Sequence, residues 1–89
     1  MDYLRTVSLD ALTNAQRAHI SRGASPVLMV YVNRHPIALM RDGIQIYAIH
    51  RDGESFRVLF DGVSIAYAIP GFGDKYEEPA QLDSWAVII

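Results

Sequence analysis

The spacing of hydrophobic residues changes twice along this chain. Residues 3–8 alternate weakly between apolar and polar, which predicts a short first strand. From residue 9 the apolar positions recur at intervals of three and four, the spacing of one face of a helix. These positions are Leu9, Leu12, Ala15 or Gln16, and Ile20.

Capping residues bound this helical stretch. Ser8 is suited to cap the N-terminus, and Asp10 lies in the first turn, where the helix dipole favours a carboxylate. Gly23 is a typical stop signal. The sequence therefore predicts a helix over residues 9–22 that packs through Leu9, Leu12 and Ile20.

After Pro26 the pattern becomes that of strands separated by tight turns. Asp-Gly pairs occur at 42–43, 52–53 and 61–62, and Asp-Gly favours hairpin turns because glycine adopts positive φ without strain. The predicted strands cover residues 27–32, 37–41, 44–50, 55–60 and 63–69. This regular spacing indicates an antiparallel meander.

The last fifth of the chain is less regular. Pro70-Gly71 closes the meander, and residues 71–84 are predicted to form a loop. Residues 85–89, Trp-Ala-Val-Ile-Ile, resemble a strand that must be held in a sheet or against a partner. We therefore predict one α+β domain over residues 1–89, with one N-terminal helix on a mostly antiparallel sheet of five to seven strands.

Composition narrows the class of protein. Hydrophobic residues make up 51% of the chain, which indicates either burial on both faces of a sheet or a spare apolar surface for self-association. Cysteine is absent, so disulfides and thiolate chemistry are excluded. The start lacks the pattern of a secretion signal, and the longest apolar run, 27–32, is far shorter than the ~20 residues that cross a bilayer. We expect a soluble, cytoplasmic protein.

The charge pattern is weakly acidic overall but locally basic. The net charge is −2, so no global positive field favours nucleic acid. Seven of the eight basic residues are arginine, which binds phosphates and carboxylates through two parallel hydrogen bonds. Arg5, Arg17, His19 and Arg22 all precede Gly23. A basic face at the N-terminal end is compatible with an acidic protein.

No arrangement of residues indicates catalysis. The histidines at 19, 35 and 50 have no metal-binding spacing, and the aspartates of the three Asp-Gly pairs are explained by their turns. Gly71-Phe72-Gly73 lacks the third glycine of a dinucleotide-binding loop. We predict no enzymatic activity, no cofactor and no bound metal.

The stretch Asp74-Lys75-Tyr76-Glu77-Glu78-Pro79 is the most polar in the chain. It is either a solvated loop or an acidic contact for a basic protein surface. Its candidate partner-binding residues, together with one residue of the apolar tail, are Asp74, Tyr76, Glu77, Glu78 and Trp85.

Residues 6–40 resemble the N-terminal domain of the Phd/YefM antitoxin family. The resemblance rests on Arg22-Gly23 after the helix, the apolar strand 27–32, and Asn33-Arg34-His35-Pro36-Ile37-Ala38-Leu39-Met40 as turn and second strand. It departs from the family at Arg34, where the family has a turn glycine, and beyond residue 41, where the family has helices. The resemblance covers residues 3–41 only.

This resemblance implies a homodimer that binds operator DNA and a protein toxin. Arg5, Asn14 and Arg17 would then contact phosphates or bases, and Arg17→Ala would weaken DNA binding. An alternative is a phage-encoded inhibitor that blocks a host defence nuclease complex, as anti-CRISPR proteins do. A third is an accessory subunit whose C-terminal strand pairs with another chain.

Overall fold

The computed structural model describes residues 5–89, so residues 3 and 4 of the predicted first strand lie outside it. The strands are β1 (Thr6–Val7), β2 (Ser25–Val32), β3 (His35–Asp42), β4 (Gln45–Ile49), β5 (Ser55–Phe60), β6 (Ser64–Tyr67), β7 (Ala80–Gln81) and β8 (Ser84–Ile88). One α-helix, α1 (Asn14–Ser21), follows a 3-10 helix at Leu9–Ala11.

All eight strands belong to one mixed sheet. Their order is β1-β8-β2-β3-β4-β5-β6-β7, with β1 and β8 parallel and every other pair antiparallel. Strands account for 49% of the residues and helices for 13%. The prediction of an α+β domain is therefore wrong, because a single two-turn helix accompanies a sheet that is wider than predicted.

The helix begins later than predicted. Ser8 caps only the 3-10 helix, and the backbone at Leu12 is extended, which separates the two helical pieces. Thr13 then caps α1 in a capping box with Gln16: each side chain bonds the other residue's backbone N–H. Leu12 is buried as predicted, whereas Leu9 is 37% exposed and does not serve as a core contact.

Side chains of α1 fasten the helix to the turn between β4 and β5. Thr13 Oγ1 donates to Arg51 O over 2.7 Å, Gln16 Nε2 donates to Ile49 O over 2.9 Å, and His19 Nε2 lies 2.8 Å from Gly53 O. Gly53 has φ +91°, and a Cβ there would lie 3.0 Å from Ala15 Cβ. Glycine thus permits both the turn and the close approach of the helix.

Both faces of the sheet are buried. On the helix face, Leu12 packs against apolar side chains of β2, β3, β4 and β8, among them Met29, Met40 and Ile88. The opposite face holds Val30 and Leu39 in one cluster with Val58 and Ile65 of β5 and β6. No helix covers that face within residues 5–89, and all buried members of this cluster are side chains of the strands β2 to β6. Burial on two faces accounts for part of the hydrophobic composition, since several large hydrophobic side chains, Ile44 and Ile89 among them, remain exposed.

The three Asp-Gly pairs lie at connections between strands, as predicted, but in the first of them Asp42 ends β3 and the turn residues are Gly43 and Ile44. Gly43, Gly53 and Gly62 have φ of 63°, 91° and 97°, which is the region that glycine tolerates. In the third turn Asp61 Oδ1 accepts from the backbone N–H of Val63 and Ser64, and these bonds hold the pKa of its carboxyl below the usual range. The strand bounds differ by a few residues.

The C-terminal third contains more structure than the predicted loop. Residues 71–84 include β7, and Ala68 forms a bridge with Tyr76. The apolar tail is a strand, as predicted, and lies between β1 and β2. Ala86 and Ile88 are buried, whereas Trp85 and Ile89 are 39% and 70% exposed. Within residues 5–89, no helix is long and apolar enough to cross a membrane.

Candidate functional site

The turn between β2 and β3 has unusual backbone geometry. Asn33 and Arg34 both have positive φ, 49° and 67°, the pattern of a hairpin turn in which the second residue is normally glycine. A non-glycine residue in this region costs of order 1–3 kcal/mol, and such strain is often found at functional positions. Arg34 therefore places a guanidinium where the backbone alone would favour glycine.

Hydrogen bonds hold this turn against the start of β8. The backbone N–H of Arg34 donates to Asp83 Oδ2 over 2.7 Å, and the N–H of Asp83 donates to Tyr31 O over 2.7 Å. The bond at Arg34 uses only its backbone, so its side chain takes no part in fixing the turn. The exposed side chain of Arg34 remains available to a ligand.

A groove of about 430 Å³ opens beside the turn, between Arg34 and the residue that precedes β1. We call it the Arg5/Arg34 groove. Its lining includes two arginines, three hydroxyl-bearing residues, one aspartate and two apolar residues of β1 and β8. The lining residues are Arg5, Thr6, Val7, Tyr31, Arg34, Asp83, Ser84 and Ala86.

The groove combines positive charge with an apolar floor. Asp83 contributes the one carboxylate among its lining residues, and that group already accepts from the turn's backbone. Two guanidiniums oppose this single carboxylate. Arginine binds planar or tetrahedral oxyanions through paired N–H donors, so the arrangement suits a carboxylate or a phosphate.

Of the three predicted DNA contacts, only Arg5 lies in this groove. Arg17 instead donates to the carbonyls of Leu9 and Leu12 and to Asn14 Oδ1, the last over 2.6 Å. These bonds join the 3-10 helix to α1, so Arg17 and Asn14 have a structural role. Contact of these two residues with DNA stays a prediction.

The acidic loop, residues 74–79, is held against β5 and β6 by hydrogen bonds and one cation–π contact. Arg57 on β5 donates to Gly73 O, and its guanidinium lies 5.9 Å from the centre of the Tyr76 ring. Glu77 N–H donates to Tyr67 O over 2.8 Å. Tyr76 is therefore half-buried, while the side chains of Asp74, Glu77 and Glu78 remain exposed. The loop presents its negative charges on a fixed backbone.

The remaining partner-binding candidate lies elsewhere. Trp85 is on β8, and in the strand order four strands, β2 to β5, separate β8 from β6, the strand that precedes the loop. The structure thus divides the five predicted partner residues into a loop group and an isolated tryptophan. The prediction that they bind a partner stays untested.

The three histidines have separate environments. His19 bonds the Gly53 carbonyl, His50 Nε2 lies 2.9 Å from Tyr67 Oη, and His35 is exposed beside the Asn33-Arg34 turn. Among residues 5–89, no three histidine, aspartate or glutamate side chains come together as metal ligands would. Burial, and then the nearby Glu77 carboxylate, raise the pKa of Tyr67, which keeps its phenol protonated.

Sequence reasoning found Arg5 but missed the rest of the groove. One signal was present: Arg34 occupies a turn position that favours glycine. Tyr31 and Ser84 carry no comparable signal, because their approach depends on the pairing of β2 with β8. No protein-family profile, curated protein or solved structure matches this chain significantly.

Proposed function

We propose that this protein is a non-catalytic binding protein that takes a nucleic-acid strand in the Arg5/Arg34 groove. The observation that carries the proposal is Arg34, an exposed arginine at a left-handed turn position that lines the same groove as Arg5. Most protein contacts to nucleic acids go to phosphate and sugar, and arginine is the most versatile residue for them. The overall charge of −2 requires that this attraction be local.

Hydroxyl groups and an apolar floor complement the two arginines. Tyr31 and Ser84 offer hydrogen bonds to phosphate or sugar oxygens, and the half-buried Val7 offers apolar surface for a sugar or base, with the buried Ala86 beneath it. A free inorganic anion would need only the charges. The mixed lining therefore favours a ligand that carries phosphate next to apolar rings.

Replacing Arg34 by glycine tests this proposal directly. Glycine keeps the backbone N–H that bonds Asp83 and relieves the positive-φ strain, while its greater freedom in the unfolded chain offsets part of that gain. We therefore expect the free energy of unfolding to be equal to that of the wild type or higher. Oligonucleotide affinity should nevertheless fall, and the slope of log affinity against log salt should shrink by about 0.7 per lost phosphate contact. Fluorescence anisotropy over a salt series, beside thermal unfolding, measures both quantities.

A matched control is Arg41→Gln. Arg41 lies at the opposite end of β3, is exposed, and carries the same charge. This variant should leave affinity nearly unchanged if the groove is the site. Equal loss in Arg34→Gly and Arg41→Gln would mean that only net charge matters, and absence of oligonucleotide binding by the wild type would end the proposal.

A second candidate function is the binding of a basic protein surface by the acidic loop. The observation that favours it is the fixing of this loop by Arg57, because a preformed loop loses little entropy on binding. We expect Asp74→Asn with Glu78→Gln to abolish capture of one specific protein in affinity purification from native cells. Arg34→Gly should leave that capture intact, and a captured protein retained by the loop variant would contradict the assignment.

A further inference from the structure

A second groove lies on the other side of the Asn33-Arg34 turn. It has a volume of about 530 Å³, and we call it the His35/His50 groove. Asn33 lines this groove, while the next residue, Arg34, lines the first. Val7 and Tyr31 of the first groove pack on the helix face, whereas Val32 and Ile37 of the second belong to the opposite face. The two grooves therefore lie on opposite faces of the sheet and approach each other at this turn.

Proline explains why the sheet opens here. The ladder between β3 and β4 ends at the pair Ala38 and Ile49, so β3 extends beyond its neighbour. Pro36 lies in that extension and has no N–H with which to continue the ladder. The chain after Ile49 turns away, and the gap between it and Pro36 becomes the groove.

The lining of this groove repeats the chemistry of the first. Val32 and Pro36 supply apolar surface above the buried Ile37, His35 and His50 supply rings, and Arg51 supplies a cation. Asp52 also lines it, but its Oδ1 accepts from the backbone N–H of Glu54 over 2.9 Å. Rings and apolar surface beside a cation are what unstacked bases and their phosphates require.

The His50 ring is held in one orientation by its neighbours. Its Nε2 lies 2.9 Å from Tyr67 Oη, and its plane meets the Phe56 ring edge-to-face with centroids 5.2 Å apart. The Tyr67 phenol is protonated at neutral pH, and burial and the Glu77 carboxylate raise its pKa further. A ring fixed in this way offers a stacking surface at little entropic cost.

From these observations we infer that the ligand is a single strand that crosses the Asn33-Arg34 turn and occupies both grooves. Its phosphates meet Arg5, Arg34 and Arg51, and a base packs on His50. A duplex keeps its bases stacked inside and would leave both apolar floors unfilled. This inference rests on the proposed function and narrows its ligand to single-stranded DNA or RNA.

The test compares a strand of about twelve nucleotides with its own duplex, since single-strand sites commonly span about 4–16 nucleotides. We expect the single strand to bind at least about tenfold more tightly at equal salt. His50→Ala should weaken single-strand binding by roughly tenfold, the scale of one lost base stack, and Arg51→Gln should lower its salt slope. DNA and RNA strands of one sequence identify the sugar preference.

His50→Phe separates stacking from a structural effect. Phenylalanine loses the bond to Tyr67 but retains a ring, so it should restore most of the single-strand affinity that His50→Ala loses. Equal binding of single strand and duplex would overturn the inference and leave the proposed function standing. A single-strand preference that neither His50→Ala nor Arg51→Gln reduces would also overturn it, and a wild type that binds no oligonucleotide would overturn both.

Discussion

Removal of residues 85–89 is expected to unfold this protein. These residues form most of β8, which lies between β1 and β2 rather than at the edge of the sheet. Without them β1 loses its partner, and β2 loses its ladder from Leu28 to Val30. Removal also eliminates the carbonyl of Ile89, which accepts from Leu9 N–H.

The expected loss is comparable to the stability of a small domain. Burial of one bulky side chain such as Ile88 contributes about 1.5–3 kcal/mol, and each lost backbone hydrogen bond about 0.5–1.5 kcal/mol. Typical domains are stable by only about 5–15 kcal/mol. Circular dichroism and size-exclusion chromatography of the truncated chain should show lost secondary structure or aggregation.

Two adjacent substitutions provide the control. Ile88 is 8% exposed and Ile89 is 70% exposed, although both are isoleucine on the same segment. Ile88→Ser should cost several kcal/mol and Ile89→Ser roughly 0.5 kcal/mol or less. A truncated chain with unchanged melting temperature would show that β8 is dispensable and would contradict the sheet order described here.

Gln16→Glu is expected to produce the largest effect of any single isosteric change. Gln16 is 1% exposed; its Oε1 accepts from Thr13 N–H, and its Nε2 donates to Ile49 O. A glutamate keeps the acceptor of the capping box but directs a carboxylate oxygen at the Ile49 carbonyl. At neutral pH this buries a negative charge that has one donor, the Thr13 N–H, and faces an acceptor with its other oxygen, which costs several kcal/mol.

The defect should depend on pH in a defined direction. Burial raises the folded-state pKa of the new carboxyl above its unfolded value of about 4.3. The penalty is therefore absent below about pH 4, where the protonated acid donates to Ile49 O, and it grows as the pH rises toward the folded pKa. Melting temperature of Gln16→Glu relative to wild type, measured from pH 4 to 8, should fall steadily. A parallel offset at every pH would contradict burial of this group.

Local chemistry made the hairpins predictable. The Asp-Gly pairs specify tight turns through residues adjacent in sequence, and each pair lies at a connection between strands, as expected. Thr13 and Gln16 carry an equally local signal, the capping box, but Ser8 offered a competing cap and led to a helix that starts too early. Gln16 fits the apolar face because its amide is satisfied inside the core.

Distant pairing was not predictable from the same patterns. The pairing of β1 with β8 joins segments from opposite ends of the described chain, and neither segment has a sequence feature that identifies its partner strand. The Arg5/Arg34 groove depends on that pairing, since it brings Arg5 beside Ser84 and Ala86. Arg34 could be recognised from the sequence because it occupies a turn position that favours glycine. The other residues that line the groove with it could not be recognised in this way.

The placement of β8 also has a consequence for how the chain folds. During synthesis β1, α1 and the hairpins emerge from the ribosome first. The position of β8 between β1 and β2 stays empty until residue 88 has emerged. Contacts between the first and last strands close a loop of nearly the whole chain, which slows folding and leaves β2 unpaired on one edge meanwhile. The hairpins of β3 to β6 can form during synthesis, but the sheet is completed only after the last strand has been made.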